Sequence, residues 1–101
     1  MASFKVSQQA EEDLADIFEA GVVNFGFDTA VRYHDRLERI FELLVSAPQI
    51  ARLRIEYDPP VRVYPVGAHI VVYSVQPGGT IEIIRVRHGR EEWSTDQAGE
   101  T

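Results

Sequence analysis

The sequence contains no cysteine, one methionine, one tryptophan and a single lysine. Without cysteine, the chain can form no disulfide bond, no thiolate zinc site and no cysteine nucleophile. Its apolar runs are too short to cross a bilayer, and residues 1–5 lack the apolar stretch of a signal peptide. We therefore expect a cytoplasmic protein with no membrane segment.

Positive charge is also scarce. The chain has 10 basic and 16 acidic residues, which gives a net charge of −6 at pH 7. Residues 52–90 are the exception, since they carry six arginines and three acidic residues. The field of the whole molecule repels nucleic acid, so we expect no direct DNA binding by this chain and at most a local anion site.

The remaining composition is that of one small globular domain. Of the 101 residues, 45% are hydrophobic and 26% are charged. These values suit a single hydrophobic core, and no repeat or low-complexity segment interrupts the chain. We predict one domain over residues 1–93, followed by a polar, acidic tail over residues 94–101.

Two amphipathic helices are predicted in the first half of the chain. Apolar residues recur every three or four positions from Ala10 to Phe25, and Ser7 suits the N-cap. A second run of this kind reaches about Val45, and Asp28 suits its N-cap. Because very few residues separate the two runs, we predict an antiparallel helical hairpin.

Strand patterns flank this hairpin. A short strand is predicted over residues 4–6, and a loop with one short extended piece over residues 49–60. Three further strands, joined by turns, are predicted at 61–66, 69–75 and 80–88. The predicted fold is α+β: an N-terminal strand at or near a sheet edge, an α-helical hairpin, then a three-stranded antiparallel run, with the helices packed on one face of an antiparallel sheet.

Arginine side chains in these strands are candidate binding residues. Strict alternation along the last strand places Ile84 and Val86 on one face, which we expect to pack against the helices. The opposite, concave face is then expected to gather Arg62, Tyr64, Arg85 and Arg87. Such a cluster suits carboxylates or phosphates. The alternative is a solvated face with local ion pairs to Glu56, Glu82 or Glu91.

The histidines predict no metal site. His34 lies within a helix and His69 begins a strand, and neither has a second ligand at metal-binding spacing. His88 lies beside Arg87 at the end of the last strand. It suits either a general base or a hydrogen bond that fixes the strand's exit. We therefore predict no metal and no cofactor.

Three segments together resemble the ParE branch of the RelE/ParE toxin superfamily. Residues 6–17 (VSQQAEEDLADI) are similar to the family's opening helix, S-x-x-A-x-x-D-L-x-x-I. Residues 61–73 (VRVYPVGAHIVVY) are similar to R-x-F-P-x-G-x-Y-x-I-x-Y, and residues 81–90 (IEIIRVRHGR) to the start of I-x-I-x-R-V-x-H-G-x-R-D. The resemblance runs from Phe4 to Glu92, and the order and separation of the three segments make it specific.

This resemblance implies a toxin of a type II toxin–antitoxin module, of the kind that stabilises plasmids or chromosomes. Toxins of this branch are associated with inhibiting DNA gyrase by binding, so we expect an inhibitor rather than an enzyme. A cognate ParD-like antitoxin is expected to wrap a C-terminal segment around the toxin in a hetero-oligomer. On this interpretation the antitoxin binds Arg62, Tyr64, Arg85 and Arg87, and the target contacts His88 and Arg90.

Two alternatives stay open. The RelE-like branch cuts mRNA on the ribosome, and its catalytic work would here fall to Arg62, Arg85 and His88. Against it, Gly89 follows where such nucleases often carry a tyrosine, and an RNA-binding nuclease should be basic. The other alternative is a non-toxic copy that only binds the antitoxin.

Overall fold

The computed structural model describes residues 3–89 of the chain. Its elements are, in order, β1 (Phe4–Val6), α1 (Gln8–Phe25), α2 (Phe27–Ser46), β2 (Leu53–Arg54), β3 (Val61–Val66), β4 (His69–Val75) and β5 (Ile81–His88). This order confirms the α+β prediction, and β2 is the short extended piece expected within the loop. The predicted tail and its boundary at residue 93 lie outside the described residues.

The two helices form a hairpin joined by one glycine. Ser7 caps α1, since its hydroxyl accepts a hydrogen bond from the Ala10 N–H at 3.0 Å. Gly26 ends α1 and is also the N-cap of α2, with a φ of +94° that residues with a side chain rarely adopt. The prediction of Asp28 as N-cap is therefore wrong. Asp28 lies in the first turn of α2, where a negative charge favours the helix dipole.

The five strands form one mixed sheet in the order β1-β5-β4-β3-β2. Antiparallel pairing joins β3, β4 and β5 in sequence, and β2 adds to β3 at one edge. β1 occupies the other edge, as predicted, but it runs parallel to β5, so the sheet is not purely antiparallel. A parallel neighbour needs a long connection, which the hairpin and the intervening strands supply.

The main core lies between the helical hairpin and one face of the sheet, which confirms that the helices cover a single face. Its fully buried large side chains come from α2, β4 and β5: Leu37, Phe41, Leu44, Val71, Tyr73, Ile81, Ile83 and Val86. A second, smaller cluster lies around Val61 and Val72, and Val63, Ile70 and Ile84 pack against it. We call it the back cluster, because its strand residues alternate with those of the main core.

A β-bulge in β5 changes which side chains face the helices. Consecutive residues of β4 pair with Ile83 and Arg85, so Ile84 is an extra residue in β5. Val86 lies in the main core, whereas Ile84 packs in the back cluster. The prediction that Ile84 and Val86 share the helix-facing side is therefore wrong, because strict alternation fails at a bulge.

Candidate functional site

An open groove of about 790 Å³ lies between the helical hairpin and the C-terminal half of β5. Its lining is mainly apolar, and we call it the hairpin groove. The helices α1 and α2 contribute Ile17, Phe18, Gly21, Phe25, Ala30 and Tyr33. The strands contribute His69 and residues 85–88, and the turn between β3 and β4 contributes Ala68. Mainly apolar concavities with a few polar groups are the usual places where proteins bind ligands or partner segments.

The groove exists because β1 is shorter than β5. β1 pairs only with residues 81–83, so the outer edge of β5 continues beyond it. Ser7, at the start of α1, bonds to the next two backbone carbonyls of β5 instead. The Ser7 N–H donates to the Ile83 carbonyl at 3.0 Å, and the Ser7 hydroxyl donates to the Ile84 carbonyl at 2.8 Å. α1 thus leaves the sheet at a fixed point, and the space beyond that point is the groove.

Asp13 and Arg85 form an ion pair that holds α1 to β5. Arg85 donates through Nε to Oδ2 of Asp13 at 2.8 Å and through Nη2 to Oδ1 at 3.1 Å. The same carboxylate accepts the Val86 N–H at 2.9 Å. The two side chains are only 21% and 15% exposed, so water screens the pair weakly. This bidentate geometry is the strong form of an arginine–carboxylate pair.

Asp13 was not among the candidate residues predicted from the sequence. A signal was present, however. Asp13 lies three residues after Ala10 and four before Ile17, so it falls on the buried stripe of α1. A carboxylate on such a stripe predicts a buried partner, which the structure identifies as Arg85.

The four side chains predicted to share one concave face do not do so. Arg62 and Tyr64 pair in register with β4 residues of the main core, so they lie on the helix side of the sheet. Arg87 pairs with Ile70, which belongs to the back cluster. Arg85 and Arg87 line the hairpin groove, whereas Arg62 and Tyr64 do not. The prediction of one arginine cluster is therefore wrong, because the pairing of β3 with β4 places Arg62 and Tyr64 on the opposite face of the sheet from the one expected.

Arg62 instead bonds to the loop between α2 and β2. Its guanidinium donates to the Ala51 carbonyl, and the Tyr73 hydroxyl donates to the Pro48 carbonyl at 2.8 Å. Burial raises the pKa of the Tyr73 phenol above its usual value of 10, which keeps the hydroxyl protonated as a donor. These two bonds attach residues 47–52 to the sheet.

Two histidines and a tyrosine meet where the groove borders the end of β5. His69 and His88 are directly opposed in the β4–β5 ladder, and their ring centroids lie 5.5 Å apart. The Tyr33 hydroxyl of α2 donates to the Val66 carbonyl at 3.1 Å and lies 2.6 Å from Nδ1 of His69. Burial raises the pKa of the Tyr33 phenol, so it is neutral near pH 7.

His88 thus lies at the end of β5, as predicted, but its neighbours His69 and Tyr33 were missed. Nothing in the spacing of these residues indicates that they meet, because strand register alone opposes the two histidines. Within residues 3–89, no group of three or more His, Asp or Glu side chains is placed to hold a metal ion. Arg90, the second predicted target contact, lies outside the described residues.

Exposed apolar side chains mark both ends of α2. Beside the hairpin turn, Val23, Phe25 and Phe27 are 79%, 72% and 62% exposed, and Phe25 also lines the groove. Beyond the other end, Ile50 and Ile55 are 47% and 74% exposed. Large exposed apolar side chains in clusters are typical of interaction surfaces. Within residues 3–89, neither α1 nor α2 combines the length and the hydropathy that a membrane span requires.

Comparison with known proteins agrees with this architecture. The family described as "ParE toxin of type II toxin-antitoxin system, parDE" matches residues 4–93. Toxin ParE1 of Mycobacterium tuberculosis is 30% identical over 87 residues, which cover 86% of this chain and 89% of that protein. Toxin ParE1 of Caulobacter vibrioides is 30% identical over 88 residues, which cover 87% and 90%.

A solved structure described as "Chromosomal ParDE TA system from P. aeruginosa" has the same fold, with a TM-score of 0.74. It is 23% identical in sequence, and the match covers 87% of this chain and 96% of that one. The family match extends over nearly the whole chain, and the relatives are matched over most of their length. The chain therefore belongs to the ParE toxin family of type II toxin–antitoxin systems.

Proposed function

We propose that this protein inhibits DNA gyrase by binding, and that a cognate ParD-like antitoxin neutralises it by placing a helical segment in the hairpin groove. Family membership supports the toxin role, and the groove is the observation that supports the mode of neutralisation. On this proposal the protein acts in the cytoplasm as part of a module that stabilises a plasmid or chromosome.

The shape of the groove suits a helix. An amphipathic helix binds such a surface by inserting side chains at positions i, i+3 or i+4, and i+7 into an apolar channel. The volume of about 790 Å³ lies within the usual range for binding sites. Phe25 lines the groove and is 72% exposed, so apolar surface is available to the segment near the hairpin turn.

The charges on the two sides of the hairpin groove indicate which charged residues the antitoxin segment should carry. Residues 8–46 carry nine acidic and three basic side chains, so the helical wall is acidic. Asp13 and Asp16 line the groove on that side, and Arg85 and Arg87 line it on the β5 side. We expect the antitoxin helix to carry basic residues toward α1 and acidic residues toward β5. Arg87 replaces Arg62 and Tyr64 as the main expected anchor for a carboxylate.

Overlap between the antitoxin-binding groove and the target-binding surface would explain neutralisation. His88 is exposed at the end of β5 and also lines the groove. If the target binds at this exit, as we propose for His88 and Arg90, a segment in the groove covers part of the target surface. The antitoxin then blocks gyrase binding directly, without any change in the fold of the toxin.

A pair of alanines on α1 allows a direct test. Ala20 lines the groove, whereas Ala15 is exposed on α1 but does not line it. Arg is nearly as good a helix former as Ala, so A20R and A15R should both fold. We expect A20R to weaken antitoxin binding at least about tenfold, because the long charged side chain would occupy part of the groove and lose water when the antitoxin covers it. A15R should bind the antitoxin as the parent does.

Expression without the antitoxin tests the target. We expect growth arrest, loss of supercoiling activity and intact mRNA in the same cells. A20R should need more antitoxin than A15R for the same neutralisation, because its antitoxin binding is weakened. Ribosome-dependent mRNA cleavage would instead favour a nuclease, and the absence of arrest would favour a copy that only binds the antitoxin. Equal neutralisation of A20R and A15R would remove the groove from the proposal.

A further inference from the structure

The described part of the chain ends at the border of the hairpin groove. Gly89 is its last residue, and the Gly89 N–H donates a hydrogen bond to the Ala68 carbonyl at 2.7 Å. Both Ala68 and His88, the residue before Gly89, line the groove. Residues 90–101 lie outside the described residues. The point from which they continue is therefore fixed beside a mainly apolar concavity.

The groove leaves apolar surface open to water. Phe25 is 72% exposed, and Ile17 and Phe18 in the same lining are only partly buried. Apolar surface in water is unfavourable, so an apolar side chain that fills such a concavity stabilises the protein. Along the chain, the segment that starts next to this surface is the one after Gly89.

Trp93 is the one large apolar residue in that segment. The other residues from 90 to 101 are charged, polar, alanine or glycine. Trp93 follows Gly89 by four residues, which can span at most about 14 Å. A tryptophan can bury about 150–250 Å² of surface, and a short covalent link gives an effective concentration in about the millimolar range. Trp93 can therefore reach the groove and compete well for it.

The charges before Trp93 indicate which side of the groove this segment should follow. Glu91 and Glu92 directly precede Trp93. α1 carries five acidic side chains and no basic one, so it repels this pair of glutamates. Arg87 lines the groove on the β5 side and attracts them. The segment therefore suits the β5 side, from which the indole can enter the apolar part of the groove.

We propose that Trp93 packs into the hairpin groove of its own chain, and that a partner segment has to displace it in order to bind there. The packing of Trp93 is independent of the proposed function, whereas its competition with the antitoxin rests on that function. Only molecules with an empty groove can bind the antitoxin. The apparent affinity is then reduced by the fraction of molecules in which the groove is empty.

The fluorescence of Trp93 tests its packing directly, because it is the only tryptophan in the chain. Binding pockets bury about 70–90% of a bound group, so acrylamide should quench Trp93 at least about threefold less in the native 101-residue chain than in urea. A20E should remove this shielding, because its carboxylate lies in the groove lining and repels Glu91 and Glu92. A15E adds the same charge to α1 outside the groove and should keep the quenching of the parent.

Circular dichroism should show that both variants are folded, since the two alanines are exposed on α1. Equal quenching of the parent in native buffer and in urea would overturn the proposal. Equal shielding in A20E and A15E would do so too, because Trp93 would then pack outside the groove.

The affinity of W93A for a ParD-like antitoxin separates this proposal from the proposed function. W93A should bind the antitoxin at least about threefold more tightly than the parent, because its groove is always empty. An unchanged affinity, together with a shielded Trp93 in the parent, would contradict the groove as the antitoxin site. The shielding and its loss in A20E would still support the packing of Trp93.

Discussion

Replacing Asp13 by alanine is expected to lower the free energy of unfolding by about 2–3 kcal/mol. The substitution removes two hydrogen bonds from Arg85 and one from the Val86 N–H, all to a single carboxylate. Hydrogen bonds to charged groups contribute about 1.5–3 kcal/mol, and breaking a buried ion pair costs about 3–5 kcal/mol. We take the lower range, because the side chains of this pair are 21% and 15% exposed.

The size of the effect makes it easy to measure. For a domain of about 100 residues, each 1 kcal/mol lowers the melting temperature by about 4–8 °C, so D13A should melt at least about 8 °C below the parent. Urea denaturation followed by circular dichroism gives the free energy directly. D13N should lose less than D13A, because its amide oxygen still accepts one of the hydrogen bonds.

Asp16 supplies the control for this prediction. It lies on the same helix and also lines the groove, but it is exposed. D16A should therefore change the free energy of unfolding by no more than about 0.5 kcal/mol. A double-mutant cycle between Asp13 and Arg85 should give a coupling energy of at least about 1.5 kcal/mol, as expected for residues in one network. A D13A variant as stable as D16A would refute the assignment of this pair as the link between α1 and β5.

Two further predictions concern side-chain hydroxyls that donate to backbone carbonyls. S7A should lower the free energy of unfolding, measured by urea denaturation, by about 1–2 kcal/mol, because the Ser7 hydroxyl both caps α1 and donates to the Ile84 carbonyl. An unchanged free energy of unfolding would contradict the role of Ser7 as the cap. Burial raises the pKa of Tyr73 in the folded state. The contribution of Tyr73 to the free energy of unfolding should therefore be complete below about pH 10 and fall as the pH rises through the raised pKa. In urea titrations from pH 8 to 11, the free energy of unfolding should fall less with rising pH for Y73F than for the parent. An equal fall in both proteins would contradict this prediction.

Local sequence patterns predicted the secondary structure well. The helical stripes, the cap at Ser7 and the β-rich runs depend on residues close together in the chain, whose spacing alone reports their period. The position of β1 at a sheet edge was also predicted correctly. The error at Gly26 was local too, because a one-residue link needs a positive φ that the pattern around Asp28 does not report.

The candidate site was predicted only in part. Arg85, Arg87 and His88 were correctly assigned to the last strand, and all three line the hairpin groove. Arg62 and Tyr64 were assigned to the wrong face, because the face of a strand depends on register with its neighbours. The bulge at Ile84 changed the faces within β5 in the same way, and no pattern inside that strand marks it.

The sequence by itself thus determined the elements of this protein and, through its resemblance to a family, its class. Only the tertiary structure decided which side chains meet. Asp13 and Arg85 are 72 positions apart, and His69 lies opposite His88 only because β4 and β5 pair in one register. Periodicity arises within a segment and can be read along the chain, whereas these contacts arise between segments and depend on how the whole sheet and the hairpin pack.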